Sequence, residues 1–111
     1  MQVTWAEFEK IDIRVGSIIE VNDFPKARKP SYQMKIDFGQ ELGIKRSSAQ
    51  VTHHYNKEEL MHRQVIAVVN FPPKQIADFI SECLVLGVYD ENNNVVLLKP
   101  DKPMSNGLKI G

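Results

Sequence analysis

The chain has 111 residues, 42% of them hydrophobic and 25% charged, with 14 Lys and Arg against 14 Asp and Glu. That composition fits one globular domain and excludes a disordered or membrane class, because no apolar run approaches the roughly 20 residues that a helix needs to span a bilayer. The overall neutrality hides an asymmetry: residues 1–23 carry −3, residues 24–63 carry +4 and the remainder −1, so the positive field belongs to the middle of the chain. The N-terminus MQVTWAEFEK lacks the basic and apolar regions of a secretory signal, and the single Cys83 has no CxxC partner. A reducing, cytoplasmic setting is therefore expected. Cys83 lies in the run SECLVLGV and reads as buried apolar filling.

Thr4 and Glu7 have capping-box spacing ahead of TWAEFEKI, a short helical turn with Trp5 and Phe8 on one side that must pack on something. IDIRVGSIIEV, over 11–21, places Ile11, Ile13, Val15, Ile19 and Val21 at odd positions, as in a long strand, with a bulge or bend predicted near Gly16 and Ser17. From Phe24 to Phe38 a basic loop leads into strict alternation: Tyr32, Met34, Ile36 and Phe38 on one face, Gln33, Lys35 and Asp37 on the other. FGQELG is a hairpin connection, and 44–50 returns as a more polar strand. Asn56 and Glu59 start one or two helical turns in NKEELMHR. VIAVVNF, over 65–71, is a β-branched run suited to a strand buried on both faces, and Pro72 and Pro73 end it. PPKQIADFIS is expected to be a loop, 83–89 a strand, ENNN a turn and 95–99 the return of a final hairpin. The turn-rich tail PDKPMSNGLKIG needs a surface to rest on.

Short strands, one helix after the third and a bent first strand indicate an all-β fold, a small barrel of the OB type, as one domain over 1–111. In that fold the surface of strands two and three, with the flanking loops, is the usual ligand site. Here it carries Lys26, Arg28, Lys29, Lys35, Lys45 and Arg46, which could neutralise phosphates, while Phe24 and Tyr32 could stack on bases. Apolar residues in poorly structured places, Phe71, Ile76, Phe79, Ile80 and Met104, suggest a patch for nonpolar peptide segments or, alternatively, burial in a homodimer. His53, His54 and His62 lack the spacing of a metal site, and no catalytic motif or cofactor-binding loop is present, so a binding protein without a cofactor is expected.

FEKIDIRVGSIIEV (8–21) and NFPPKQIADFISECLVLG (70–87) resemble the tRNA-binding domain family, found free-standing as a dimer and appended to methionyl and phenylalanyl tRNA synthetases. ARKPSY, KRSSAQVTHHYN, VVNFPP and NGLKIG are similar to the export-related chaperones of that family. The resemblance implies an OB barrel and a homodimer joined through the terminal segments, with Trp5, Phe8, Met104 and Leu108 as interface residues. It implies binding of unfolded or precursor polypeptides at Phe71, Pro73, Ile76, Phe79 and Ile80. It also implies an RNA-binding surface or charged rim at Lys26, Arg28, Lys29, Lys35, Lys45, Arg46, Ser48, Asn70, Lys74 and Ser81, with tRNA as the alternative partner. The chain departs from the tRNA-binding pattern: Arg28 and Pro30 replace Asp and Leu, Cys83 and Leu84 a Gly-Met pair, Ala77 and Asp78 a basic residue and a glycine, and His62 a glycine.

Overall fold

A computed structural model describes residues 1–111. The elements in order are α1 (Trp5–Glu9), β1 (Ile13–Asp23), β2 (Tyr32–Asp37), α2 (Gly39–Leu42), β3 (Ile44–Ala49), α3 (Lys57–Leu60), β4 (Gln64–Val68), β5 (Lys74–Ile76), β6 (Phe79–Ser81), β7 (Leu84–Val85), β8 (Gly87–Tyr89) and β9 (Val95–Leu97). Five strands form an antiparallel sheet in the order β3-β2-β1-β4-β7, which curls into a nearly closed OB-type barrel. β5–β6 and β8–β9 are separate two-stranded ribbons. No helix is long and apolar enough to cross a membrane.

The expected alternation of β2 is realised: Met34, Ile36 and Phe38 are at most 1% exposed and Tyr32 is buried beside them. The β-branched run is likewise buried on both faces, from Val65 through Val69. Both capping boxes form, Thr4 with Glu7 and Asn56 with Glu59, each exchanging two side-chain-to-backbone bonds that satisfy N–H groups a helix start leaves open. Leu60 of α3 plugs one end of the core.

β1 differs from its predicted pattern. Its first half pairs with β4, from Ile13 opposite Val68 to Ser17 opposite Gln64, and its second half pairs with β2, from Ser17 opposite Asp37 to Asp23 opposite Tyr32. The register shifts between Ile18 and Glu20. Ile18 therefore sits in the core with no exposed surface, Ile19 turns to solvent, and the odd residues do not share one face. Gly16 makes the change of partner possible. A Cβ there would lie 2.6 Å from Ile36 Cγ2 and 2.7 Å from Phe38 Cε1, inside any van der Waals contact.

The edge of β1 that β2 leaves free is taken by the tail. Val15 N–H donates to the Leu108 carbonyl (3.0 Å), Gly107 N–H to the Val15 carbonyl (2.7 Å) and Ile110 N–H to the Ile13 carbonyl (2.9 Å). FGQELG, expected as a plain hairpin connection, forms the helical turn α2, with Gly39 and Gly43 at positive φ. The predicted loop PPKQIADFIS is instead the β5–β6 hairpin. It escaped the sequence reading because its strands are three residues long and its turn uses Ala77 in the left-handed region (φ 53°) without a glycine. The predicted strand over 83–89 is divided into β7, which pairs with β4, and β8, which pairs with β9.

Gly16→Ala is expected to destabilise the protein by about 1–3 kcal/mol, because Ile36 and Phe38 belong to the packed core and cannot retreat freely. Calorimetry should show a fall in Tm on the order of 5 °C per kcal/mol, and an unchanged Tm would contradict the packing described.

Candidate binding face

The barrel closes where β3 meets residues 81–83, and side chains make most of that seam. Glu82 N–H donates to the Arg46 carbonyl (2.7 Å), and the Glu82 carboxylate accepts from the Arg46 N–H (2.9 Å). Ser48 N–H donates to Ser81 Oγ (3.3 Å), and Ser47 Oγ, fully buried, donates to the Cys83 carbonyl (3.1 Å). Three residues expected on an RNA-binding or charged rim, Arg46, Ser48 and Ser81, thus meet in one place and are used in closing the barrel. Asn70 is also committed internally: its Oδ1 accepts from Asp12 N–H (2.9 Å) and its Nδ2 donates to the Lys10 carbonyl (2.7 Å), fixing the entry into β1.

On the outer face of β1–β2–β3 a cross-strand row runs from Glu20 through Lys35 to Arg46, one acidic and two basic side chains. Lys35 reaches Glu20 (3.7 Å), Arg46 reaches Glu82 (3.4 Å) and Lys26 reaches Asp78 (3.2 Å). Arg28, Lys29, Lys45 and Lys74 form no ion pair. A groove of about 190 Å³ runs between Asn22, Gln33, Lys35 and Arg46, and Phe79 forms part of its lining. Phe79 is only 8% exposed: its ring packs tilted against that of Phe24 (centroids 5.5 Å apart, 56° between planes), with the Arg46 guanidinium 5.5 Å above it.

That burial takes Phe79 out of the exposed apolar patch expected from Phe71, Ile76, Phe79, Ile80 and Met104. Phe79 faces the barrel side of its hairpin with its partner Ile76, whereas Ile80 (41% exposed) faces away and Phe71 (54% exposed) precedes the double proline. Of Phe71, Pro73, Ile76, Phe79 and Ile80, only Phe79 lines one of the principal hollows. Phe24 and Tyr32, considered as stacking platforms, are also buried, and the Tyr32 hydroxyl donates to the Tyr55 carbonyl (2.9 Å).

Beyond Ser48 the seam opens. A hollow of about 410 Å³ lies between the end of β3, β7 and the β8–β9 hairpin, and Lys29 and His53 are the only residues with basic side chains around it. None of its lining residues is acidic, and Leu84 and Tyr89, 48% and 73% exposed, supply apolar surface. The sequence reading noted Leu84 only as a departure from the tRNA-binding pattern and gave no binding role to Leu84, Tyr89 or Gln50; only the barrel's topology brings them together. His54 Nε2 lies 2.8 Å from Asp90 Oδ2, and that contact, with the Asn94 and Asn92 N–H groups on Asp90 Oδ1, holds the Asp90 carboxyl below its usual range. No group of three His, Cys, Asp or Glu side chains could hold a metal. His62 occupies the left-handed region (φ 67°), which explains why a glycine suits that position.

At the termini, α1 buries none of its residues and Trp5 is 81% exposed. Val3, Trp5, Phe8 and Gly111 enclose an apolar hollow of about 390 Å³. Met104 and Leu108 are also partly exposed but lie outside it: Met104 is held by Gln64 through both its N–H (3.0 Å) and its carbonyl (2.6 Å).

An OB-type barrel with an open face of this kind has the architecture of a binding domain. Residues 13–109 match the family described as "Putative tRNA binding domain", and the chain belongs to it. Within that family the likeness extends over the full length to two CsaA chaperones. One, from Picrophilus torridus, is 55% identical, with 99% of this chain and 100% of that one covered and a TM-score of 0.93. The other, from Bacillus anthracis, is 47% identical over 100% of both chains with a TM-score of 0.94. The methionine–tRNA ligase of Pyrococcus furiosus is 40% identical over 108 residues, 97% of this chain but 14% of that ligase, so the chain spans a small part of this longer relative.

Burial pushes the Cys83 thiol up to about 11. The folded state thereby favours the protonated thiol, a contribution that is complete below the free-thiol pKa of about 8.5 and is lost as pH rises towards about 11. At about pH 8 an aromatic disulfide reagent should leave Cys83 unmodified in the native protein and titrate it fully in denaturant; rapid native reaction would contradict its burial.

Proposed function

We propose that the protein is a cytoplasmic chaperone that holds unfolded or precursor polypeptides for export, acting as a homodimer. The observation that carries this reading is the pairing of charges on the strand-two and strand-three face. Lys26, Lys35 and Arg46, three of the seven basic residues expected on the RNA-binding surface, already have carboxylate partners. The neighbouring hollow instead presents Leu84 and Tyr89. Phosphate recognition draws its affinity from unpaired cations, whereas polypeptide capture needs accessible apolar surface on a rigid frame. The full-length likeness to CsaA chaperones supports the same reading.

Family membership and the unpaired Arg28, Lys29, Lys45 and Lys74 favour tRNA as a second reading. Salt separates the two. Fluorescence anisotropy with a reduced, unfolded polypeptide should show affinity nearly constant between about 50 and 200 mM salt, whereas a phosphate-dominated complex with several contacts loses orders of magnitude over that interval. Tyr89→Ala should weaken polypeptide binding roughly tenfold without altering the fold, since the side chain is mostly exposed. Equal affinity of variant and parent would remove Tyr89 from the site.

A second copy of the chain is the occupant proposed for the hollow around Trp5 and Phe8, where α1 fully buries none of its residues and a helix of five residues cannot stand alone. Sedimentation equilibrium should give a dimer for the parent and a shift towards monomer for Trp5→Ala. A parent that is monomeric at micromolar concentration, or a variant that dimerises equally well, would count against this interface.

A further inference from the structure

The end of β3 is an open sheet edge. Alternate residues of β3 turn their backbone groups away from β2: Arg46 and Ser48 direct theirs to Glu82 and Ser81 across the seam. Gln50 follows at the same parity, one residue past the strand, and neither its N–H nor its carbonyl is hydrogen-bonded within the chain. It is exposed, and it borders the 410 Å³ hollow into which the seam widens. An edge of this kind is a template for another strand, and proteins normally cover it. Here no hydrogen bond within the chain occupies the backbone of Gln50.

We propose that this edge captures a client by strand addition: an extended, acidic polypeptide segment enters the hollow and hydrogen-bonds to the backbone at Gln50. The inference rests on the polypeptide-binding reading above and gives it a mechanism. Main-chain bonds are available from any sequence in extended form, which suits a protein that must accept unrelated clients. The side chains around the edge set the preference. Leu84 and Tyr89 receive alternate apolar side chains, while Lys29 and His53, with no acidic residue among the lining, favour carboxylates and disfavour lysine-rich segments.

The test uses the full chain, isotopically labelled, with a disordered peptide of about ten residues alternating valine with aspartate or threonine. Three derivatives are compared with it: one N-methylated on amides of one strand face, one N-methylated on the opposite face, and one with lysine in place of aspartate. One N-methylated peptide should bind about tenfold more weakly than the parent and the other nearly as well, because only one set of amides can reach the edge. The lysine peptide should bind more weakly too, and the Gln50 amide resonance should move on titration with the parent. Equal binding of both N-methylated peptides and the parent, or shifts that bypass Gln50, would overturn strand addition while leaving polypeptide binding intact. Absence of binding by every peptide, with an unmodified tRNA shifting the Gln50 amide, would overturn the polypeptide reading itself. Gln50→Pro, which removes the N–H, should reproduce the weaker affinity. Should that variant fail to fold, the N-methylated pair still decides the matter.

Discussion

The absence of a side chain at Gly16 lets β1 pass against Ile36 and the Phe38 ring closely enough for one strand to serve two partners. Its first half belongs to β4 and its second to β2, and the register shift after Ile18 puts Ile18 into the interior. The rest follows from this bend. β2 and β3 wrap round one side, β4 and β7 the other, and the two ends approach at the seam between Arg46 and Glu82. Because the ends meet through side chains over only part of their length, the barrel closes at Ser47 and Ser48 and gapes beyond them. The candidate face is thus a product of incomplete closure.

Electrostatics refine what that face can do. A neutral chain with a positive middle segment suggested a basic surface, but linear counts cannot see that Glu20, Asp78 and Glu82 fold back beside Lys35, Lys26 and Arg46. Exposed pairs of this kind contribute little to stability, a median of about 0–1 kcal/mol. Their effect on recognition is larger, since each carboxylate cancels the long-range field that would attract a polyanion. The positive charge that remains unpaired at Lys29 borders the hollow, where no acidic residue offsets it.

Much of the fold was legible in the residues. Tyr32 to Phe38 alternate without exception, Val65 to Val69 form an uninterrupted apolar run, and both capping boxes announce helix starts of only a turn or so, so local chemistry and tertiary placement agree. The same local logic failed where tertiary contact overrides it. Ile19 was read with Ile13 and Val15 because parity carries no record of a bulge. Phe79 looked like an exposed loop residue because nothing nearby in sequence reveals Phe24 as its partner, 5.5 Å away in space. Ala77 hid a tight turn by doing what glycine usually does. The candidate site was the least readable part. Lys29 was visible as a charge, but Gln50, Leu84 and Tyr89 are ordinary residues whose significance comes only from lying along an opening that topology creates.

The tail's hold on β1 has a consequence for how the molecule is made. Arg14 donates to the Gly107 carbonyl across 93 residues of chain, and the backbone bonds of Val15 and Ile13 to residues 107–110 span comparable separations. Contacts of such long range must wait for the loop-closure entropy of nearly the whole sequence to be overcome. During synthesis the first strand therefore leaves the ribosome with one edge unprotected, and that edge stays open until residues 107–110 emerge. The nascent chain thus carries, for part of its synthesis, the same kind of unpaired strand edge that the folded protein later covers with its own tail.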